Sequence, residues 1–97
     1  MTPLDGSKST VTHDPMAQCF ELVVDGHRSE LTYVLEGERV AFNHTFVPPE
    51  LRGRGIAEQL VRPALGWVRR EKLRVVPQCS YVATFIARHP EFQDLTV

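Results

Sequence analysis

The amino-acid sequence predicts a single α/β domain with the element order β-β-β-α-β-α. The chain has 97 residues, a length typical of one small domain. Apolar and polar residues alternate through residues 17–47, as expected for strands with one buried face. From Gly55 onward the apolar residues recur at helical spacing, which indicates an amphipathic helix. Because a strand, a helix and a second strand in succession form a parallel pair, we expect a mixed sheet with helices packed on it.

Three strands make up the first part of the predicted domain. The alternation places them at about residues 17–25, 29–35 and 39–47, with a tight hairpin turn at Asp25-Gly26 between the first two. Residues 1–16 are polar and rich in turn-forming residues, so we expect a flexible N-terminal tail ahead of a domain that spans residues 17–97. In the third strand, the alternation predicts one shared face for Val40, Phe42, His44 and Phe46.

Two helices and one strand make up the second part. The first helix is predicted over about residues 55–72. Pro63 lies inside it and is expected to kink or loosen it, because proline lacks the N–H that the helix would use. A short strand follows over residues 73–76, and Ser80 is the candidate N-cap of a second helix over about residues 81–89.

Composition and charge exclude several classes of protein. With 42% hydrophobic and 24% charged residues, the chain resembles neither a disordered protein nor a coiled coil. The net charge is −1, yet residues 52–74 contain seven basic and two acidic side chains. This local excess suits a small anionic ligand better than a nucleic acid, which would need a broader basic face.

The cysteine pattern and the hydropathy give expectations about compartment and partners. Cys19 and Cys79 form no disulfide framework, and no paired Cys or His spacing indicates a metal site. The sequence shows neither a secretory signal nor an apolar run that could span a bilayer. We therefore expect a cytoplasmic protein without a membrane or nucleic-acid partner, with a monomer favoured.

The segment from Val47 to Ala57 is the most informative for function, because it joins a strand to a helix through a glycine-containing turn. Gly53 and Gly55 allow a close approach of the main chain to a ligand. The free N–H groups of the helix that follows point back at this turn, which makes it a potential anion site suited to a pyrophosphate. The alternative is a turn that merely starts a helix.

The same segment resembles a known family. Arg52-Gly53-Arg54-Gly55-Ile56-Ala57 fits the Q/R-x-x-G-x-G/A pattern of the GNAT acyltransferases, the Gcn5-related N-acetyltransferases. His44-Thr45 and the segment Pro77-Gln78-Cys79-Ser80-Tyr81-Val82 are similar to the small, single-domain yjdJ-type branch. The resemblance covers about residues 17–95.

The resemblance implies acetyl-CoA as cosubstrate, an unidentified amine as acceptor, and no metal. It implies that the parallel strand pair splays apart to admit the pantetheine arm. Residues 1–16 hold no counterpart of the opening helices of larger members, so we expect an acceptor site that is open or differently made. The resemblance also assigns cofactor contacts to the main chain of nine residues: Thr45, Phe46 and Val47 at the end of the third strand, and Arg52, Gly53, Arg54, Gly55, Ile56 and Ala57 in the turn.

Three side chains are candidates for the chemistry. His44 lies on the strand beside the expected pantetheine and is a candidate general base; alternatively it packs with Phe42 and Phe46. Cys79 precedes a helix start, which favours a thiolate, so it is a candidate nucleophile, a wall of the thioester pocket or a core residue. Tyr81 could protonate the departing thiolate, as the resemblance implies, or serve in packing.

The resulting hypothesis is an acetyl-CoA-dependent N-acetyltransferase in which a bound amine attacks directly with the assistance of His44. Two alternatives remain open. One is transfer through an acyl-Cys79 intermediate, and the other is a non-catalytic CoA-binding or interaction module.

Overall fold

Five strands form one mixed sheet in the computed structural model of the chain, which describes residues 11–97. The strand order across the sheet follows the order along the chain. The first four strands pair antiparallel with their neighbours, and the last pair is parallel. The strands are β1 (Thr12–Asp14), β2 (Cys19–Val24), β3 (His27–Glu36), β4 (Arg39–Phe46) and β5 (Arg74–Pro77).

Two α-helices, α1 (Ile56–Arg70) and α2 (Ser80–Arg88), follow β4 and β5. Two short 3-10 segments, Pro49–Leu51 and Pro90–Leu95, precede α1 and follow α2. The α1 helix continues past Pro63, which lies on its exposed side. The predicted α/β class is therefore confirmed, as are the positions of the predicted strands and helices to within a few residues.

The core lies between one face of the sheet and the helices. Leu60, Val61, Ala64, Leu65 and Val68 of α1 are fully buried, at the spacing that the sequence predicted. They belong to one cluster with apolar residues of β2, β3 and β4 and with the inner side of α2. The C-terminal segment closes this cluster, since Leu95 is buried in it. We call this side of the sheet the helix face and the other side the open face.

A β-bulge in β4 changes which side chains reach the core. Thr32 pairs with His44, but the next residue of β3, Tyr33, pairs with Phe42, so Asn43 is the extra residue. A one-residue insertion reverses the alternation of side chains. The single face predicted for Val40, Phe42, His44 and Phe46 is therefore wrong: the first two lie on the helix face, whereas His44 and Phe46 lie on the open face.

The start of the described chain also differs from the expectation. Residues 12–14 were expected in a flexible tail, but Thr12–Asp14 form β1, which pairs antiparallel with β2. The predicted tail also included residues 1–10, which lie outside the described residues. Tertiary contacts explain the added strand, because the His13 side chain contacts Tyr33 and Phe20. Neither contact follows from the local sequence pattern.

His13 occupies an aromatic pocket on the helix face. Its Nε2 atom lies 2.7 Å from the Tyr33 hydroxyl, and its ring stacks on Phe20 with 4.1 Å between the ring centroids. Trp67 of α1 meets it edge-on at 4.7 Å. Burial lowers the pKa of His13; Asp14 opposes this shift, and Arg70 adds to it.

The pocket predicts that stability falls in mild acid. The unfolded chain takes up a proton on His13 more readily than the folded one, so the free energy of unfolding should fall as the pH drops below about 6.5, the ordinary histidine pKa. Urea unfolding at a series of pH values measures this. His13→Gln should lower the free energy of unfolding by about 1 kcal/mol near pH 8, because the stacking and the hydrogen bond are weakened. On acidification, the free energy of unfolding of this variant should fall less than that of the wild type. An unchanged pH dependence in the variant would contradict this role.

Candidate active site

The parallel strands β4 and β5, the last pair at one edge of the sheet, separate partway along β4. Their pairing runs from Arg39 opposite Arg74 to Phe42 opposite Pro77. The last link is the N–H of Cys79, which donates to the carbonyl of Phe42 at 2.8 Å. Beyond this point β4 continues to Phe46, whereas the other chain turns into α2. The result is a split that opens beside the bulge.

The glycine turn before α1 has the conformation that an anion cradle needs. Gly53 and Gly55 have φ angles of +81° and +74°, which favour glycine, and a Cβ atom at either position would meet nothing within 4 Å. Gly55 is the N-cap of α1 and has no side chain to cap the helix. The first N–H groups of α1 and the positive end of its dipole therefore face an open space, which fits a pyrophosphate.

A cavity of about 270 Å³ connects this turn with the end of β4 and the start of α2. Its wall is mostly main chain and apolar side chains, apart from Arg52 and the Tyr81 ring. The lining residues are Val47, Leu51, Arg52, Gly53, Gly55, Ile56, Ala57 and Tyr81. Most of the residues predicted to contact a cofactor are thus brought together, although Arg54, Thr45 and Phe46 do not line this cavity.

The two arginine side chains of the turn are engaged within the protein. Arg52 donates from Nε to the carbonyl of Val47 at 3.0 Å, which ties the turn to the end of the third predicted strand. Arg54 forms an ion pair with Asp25 at the tip of the β2–β3 hairpin, at 3.3 Å. The turn is therefore held in place from two sides. The main-chain N–H of Arg52, which was predicted to contact a cofactor, is already engaged, because it donates to the carbonyl of Pro49 at 3.3 Å.

Cys79 lies at the split, on the helix face. Its Sγ atom is 3.3 Å from the hydroxyl oxygen of Thr45, and the side chain is half-buried. Burial by itself raises the pKa of this thiol, but the Thr45 hydroxyl and the backbone N–H groups of Val82, Tyr81 and Thr45 outweigh it, so the pKa of Cys79 lies below its ordinary value. Cys79, rather than the predicted Ser80, is the N-cap residue of α2, because its own N–H is fixed by the last strand hydrogen bond.

Tyr81 stands at the first turn of α2 and contributes to the cavity wall. About a third of the side chain is exposed, at 38%. Burial raises the pKa of its hydroxyl, with Glu58 adding to the shift and Arg62 opposing it. The hydroxyl therefore keeps its proton at neutral pH and is available as a donor.

His44 is exposed on the open face and is not brought together with Cys79 and Tyr81. Its neighbour in the chain, Thr45, points to the helix face and reaches the thiol. The alternative in which His44 packs against Phe42 is wrong, because the bulge places the two side chains on opposite faces. Cys19, in contrast, is 5% exposed and burial raises the pKa of its thiol, which suits a structural role.

Two residues of the site were missed by the sequence analysis. Leu51 is fully buried and lines the cavity. The sequence could have predicted the burial of Leu51, because an isolated apolar residue between prolines and charged residues is a candidate for burial. Asp25 meets Arg54 across 29 residues of sequence, and no local pattern could have indicated that contact.

Within residues 11–97, no group of three or more metal-ligating side chains gathers at one place. None of the helices described there has the length and apolar character needed to cross a bilayer.

Comparisons with known proteins agree with this geometry. The sequence profile of the family described as GCN5-related N-acetyl-transferase matches residues 19–95. The chain belongs to this family. Among curated relatives, Protein NATD1 of Bos taurus is 36% identical over 91 residues, which cover 91% of this chain and 80% of the relative. Protein NATD1 of Homo sapiens is 34% identical over 88 residues, covering 88% of this chain and 78% of the relative.

The fold of a solved family relative is similar as well. The NMR solution structure of a GCN5-like protein from Staphylococcus aureus superposes with a TM-score of 0.72 at 21% identity, covering 91% of this chain and 87% of that one. The fold of this chain is therefore that of the GNAT family, whose members generally use acetyl-CoA.

Proposed function

We propose that this protein binds acetyl-CoA and transfers its acetyl group to an amine. The observation that carries the proposal is the cavity that runs from the two-glycine turn to Val47, the residue after β4. It joins an uncapped helix start, which suits a pyrophosphate, to the region where β4 has lost its partner strand. One elongated ligand with phosphates at one end and an extended arm at the other matches that shape.

The main chain of the turn and of β4 supplies the contacts in this proposal. The N–H groups from Gly53 to Ala57 hold the pyrophosphate, whereas the N–H of Arg52 is engaged by the carbonyl of Pro49. Thr45, Phe46 and Val47 lie past the last β5 pairing at Phe42, so their β5 side is available to hydrogen-bond the pantetheine arm. The thioester then reaches the split beside Thr45 and Cys79.

The chemistry is a direct transfer. The amine nitrogen attacks the thioester carbonyl carbon, so that a C–N bond forms and the C–S bond breaks. His44 takes the proton that leaves the nitrogen, and the Tyr81 hydroxyl supplies a proton to the sulfur of CoA. The products are an amide and free CoA.

The second candidate is a two-step transfer, and the lowered pKa of Cys79 favours it. In that mechanism the sulfur of Cys79 takes the acetyl group as CoA leaves, and the amine then takes it from Cys79. A non-catalytic CoA-binding module is the third, and it differs from both by binding CoA without turnover.

The first prediction concerns the turn. Gly55→Ala places a methyl group in the open space of the cradle and strains a φ of +74°, so we expect at least a tenfold loss of CoA affinity by calorimetry. Gly37→Ala is the matched control, because it has a φ of +60° and equally open space but lies in the β3–β4 turn. Both variants should lose about 1 kcal/mol of stability. Equal CoA affinity in the two variants would refute the assignment of the turn.

The second prediction concerns His44. Since general bases contribute roughly a hundredfold or more to rate, His44→Gln should lower kcat by about that factor. CoA affinity should stay within about twofold of wild type, because His44 lies on the open face away from the cavity. The assay is release of free CoA thiol with a panel of polyamines, amino acids and lysine peptides. If His44→Gln lowers kcat and CoA affinity by the same factor, His44 has a structural role and is not the general base.

The third prediction separates the two mechanisms. Direct attack leaves no acetyl group on the protein after a pulse of acetyl-CoA without acceptor, and Cys79→Ala then costs about tenfold in rate, or about 1.4 kcal/mol of barrier. Intact-protein mass spectrometry measures the adduct. An acetyl group that appears on wild type and is absent from Cys79→Ala, together with a nearly inactive variant, would establish the two-step route instead.

A further inference from the structure

The open face is acidic around His44 and Phe46. Two cross-strand rows pass through His44 and Phe46 on this face. Three carboxylates stand in these rows, and no Lys or Arg does. The first row is Thr12, Glu21, Glu30 and Phe46, and the second is Asp14, Cys19, Thr32 and His44.

Arg28 is the nearest cation on the open face, and it is shared between two carboxylates. It bonds Glu21 and also reaches Glu30 at 2.7 Å. Glu21 and Glu30 are directly opposite each other across β2 and β3. Since like charges in that position repel, one guanidinium only partly balances them, and with Asp14 the net charge of this patch is negative.

Apolar side chains are exposed next to these carboxylates. Phe46, Val34 and Val23 are 41%, 42% and 57% exposed, and they lie on three different strands. Val23 lies opposite Arg28 and Val34 opposite Ala41, so these side chains are spread over about 20 Å along the strands as well as across three strands. No helix described in residues 11–97 packs on them, since the helices share the core on the other face.

This combination suits the side chain of lysine. Its aliphatic stem covers apolar surface while its ammonium group reaches a carboxylate, and an ammonium is also attracted to the face of an aromatic ring. Glu30 and Phe46 are direct cross-strand partners, so one lysine could satisfy both. His44 lies two residues from Phe46 on the same face, next to the split, where a second lysine would meet the proposed base.

We propose that the open face is the docking surface for the acceptor, and that the acceptor is a lysine-bearing peptide segment of another protein lying across β2, β3 and β4. The exposed apolar residues are spread too widely for a small free amine to cover, whereas an extended peptide covers them with several side chains. Glu30 selects for positive charge beside the reacting lysine. This inference rests on the proposed acetyl transfer, with which it shares His44.

The charges of the two sides support this assignment. Five of the seven basic residues counted between 52 and 74 lie in the glycine turn and α1, on the side where anionic CoA is proposed to bind. The patch around Glu21 and Glu30 would repel CoA phosphates and attract ammonium groups. The two substrates are thereby directed to opposite faces of the sheet and meet at the split.

Binding is tested first, without turnover. A short blocked peptide of alternating lysine and alanine is titrated into the labelled wild-type protein with CoA present, and backbone amide shifts are followed by NMR. The largest shifts are expected at residues 21, 30, 44 and 46, and they should weaken as salt is raised. Shifts centred elsewhere, or none while CoA binds normally, would overturn the docking surface.

Turnover is tested with matched variants. Glu30→Gln should raise the KM for the lysine peptide about tenfold and leave CoA affinity unchanged. Glu38→Gln is the control, because Glu38 is an exposed glutamate of the β3–β4 turn at the far end of β4. Equal KM values for the two variants would overturn the role of Glu30.

Further experiments identify other ligands of the open face and separate a failure of the docking surface from a failure of the proposed function. Spermidine turned over as efficiently as the peptide, with the same dependence on Glu30, would show that the surface serves free polyamines instead. A dimer in light scattering that dissociates in Phe46→Ser would show that a second copy covers the face. Peptide binding at the open face without any acetyl transfer would overturn the proposed function and leave the docking surface standing.

Discussion

The hydrogen bond between the N–H of Cys79 and the carbonyl of Phe42 is the constraint on which the arrangement of the site depends. It is the last hydrogen bond between the parallel strands, and three features of the site begin next to it. The β4 bulge begins at the next residue, α2 begins at the residue after Cys79, and the split opens between them. A sheet that stayed paired to Phe46 would leave no room beside Thr45, and the thiol would be enclosed among strands.

The bulge gives the two sides of β4 different chemistry within two consecutive residues. His44 points to the open face, and Thr45 points to the helix face, where its hydroxyl meets the sulfur of Cys79. Without the extra residue, His44 would be directed into the core beside the helices, where an ionisable ring would need a buried partner. The insertion thus keeps a titratable side chain in solvent and a hydroxyl at the split, while the apolar residues before it, Val40 and Phe42, stay in the core.

The sequence predicted the elements well and the finer geometry less well, for physical reasons. Alternation and helical spacing report burial, which is why β2 to β4 and α1 were found. A bulge leaves the apolar pattern unchanged, because Phe42 and Phe46 still look like members of one face. The strand β1 was missed because His13 is held by Tyr33, Phe20 and Trp67, contacts that exist only after folding. The turn around Gly53 and Gly55 was found because positive φ angles at a helix start demand glycine in the sequence itself.

In residues 11–97 the helices pack on one face of the five-stranded sheet, and the other face carries the acidic patch around Glu21 and Glu30. A cationic acceptor near the turn would compete for the phosphates of CoA, and an anionic cosubstrate on the open face would be repelled by Glu21 and Glu30. Placing each on its own face removes both unfavourable pairings before the reaction begins. The two can then meet only where the sheet is interrupted, and the interruption is the split beside Asn43. In the proposed reaction, selectivity for where transfer occurs therefore follows from the topology of the sheet as much as from any single side chain.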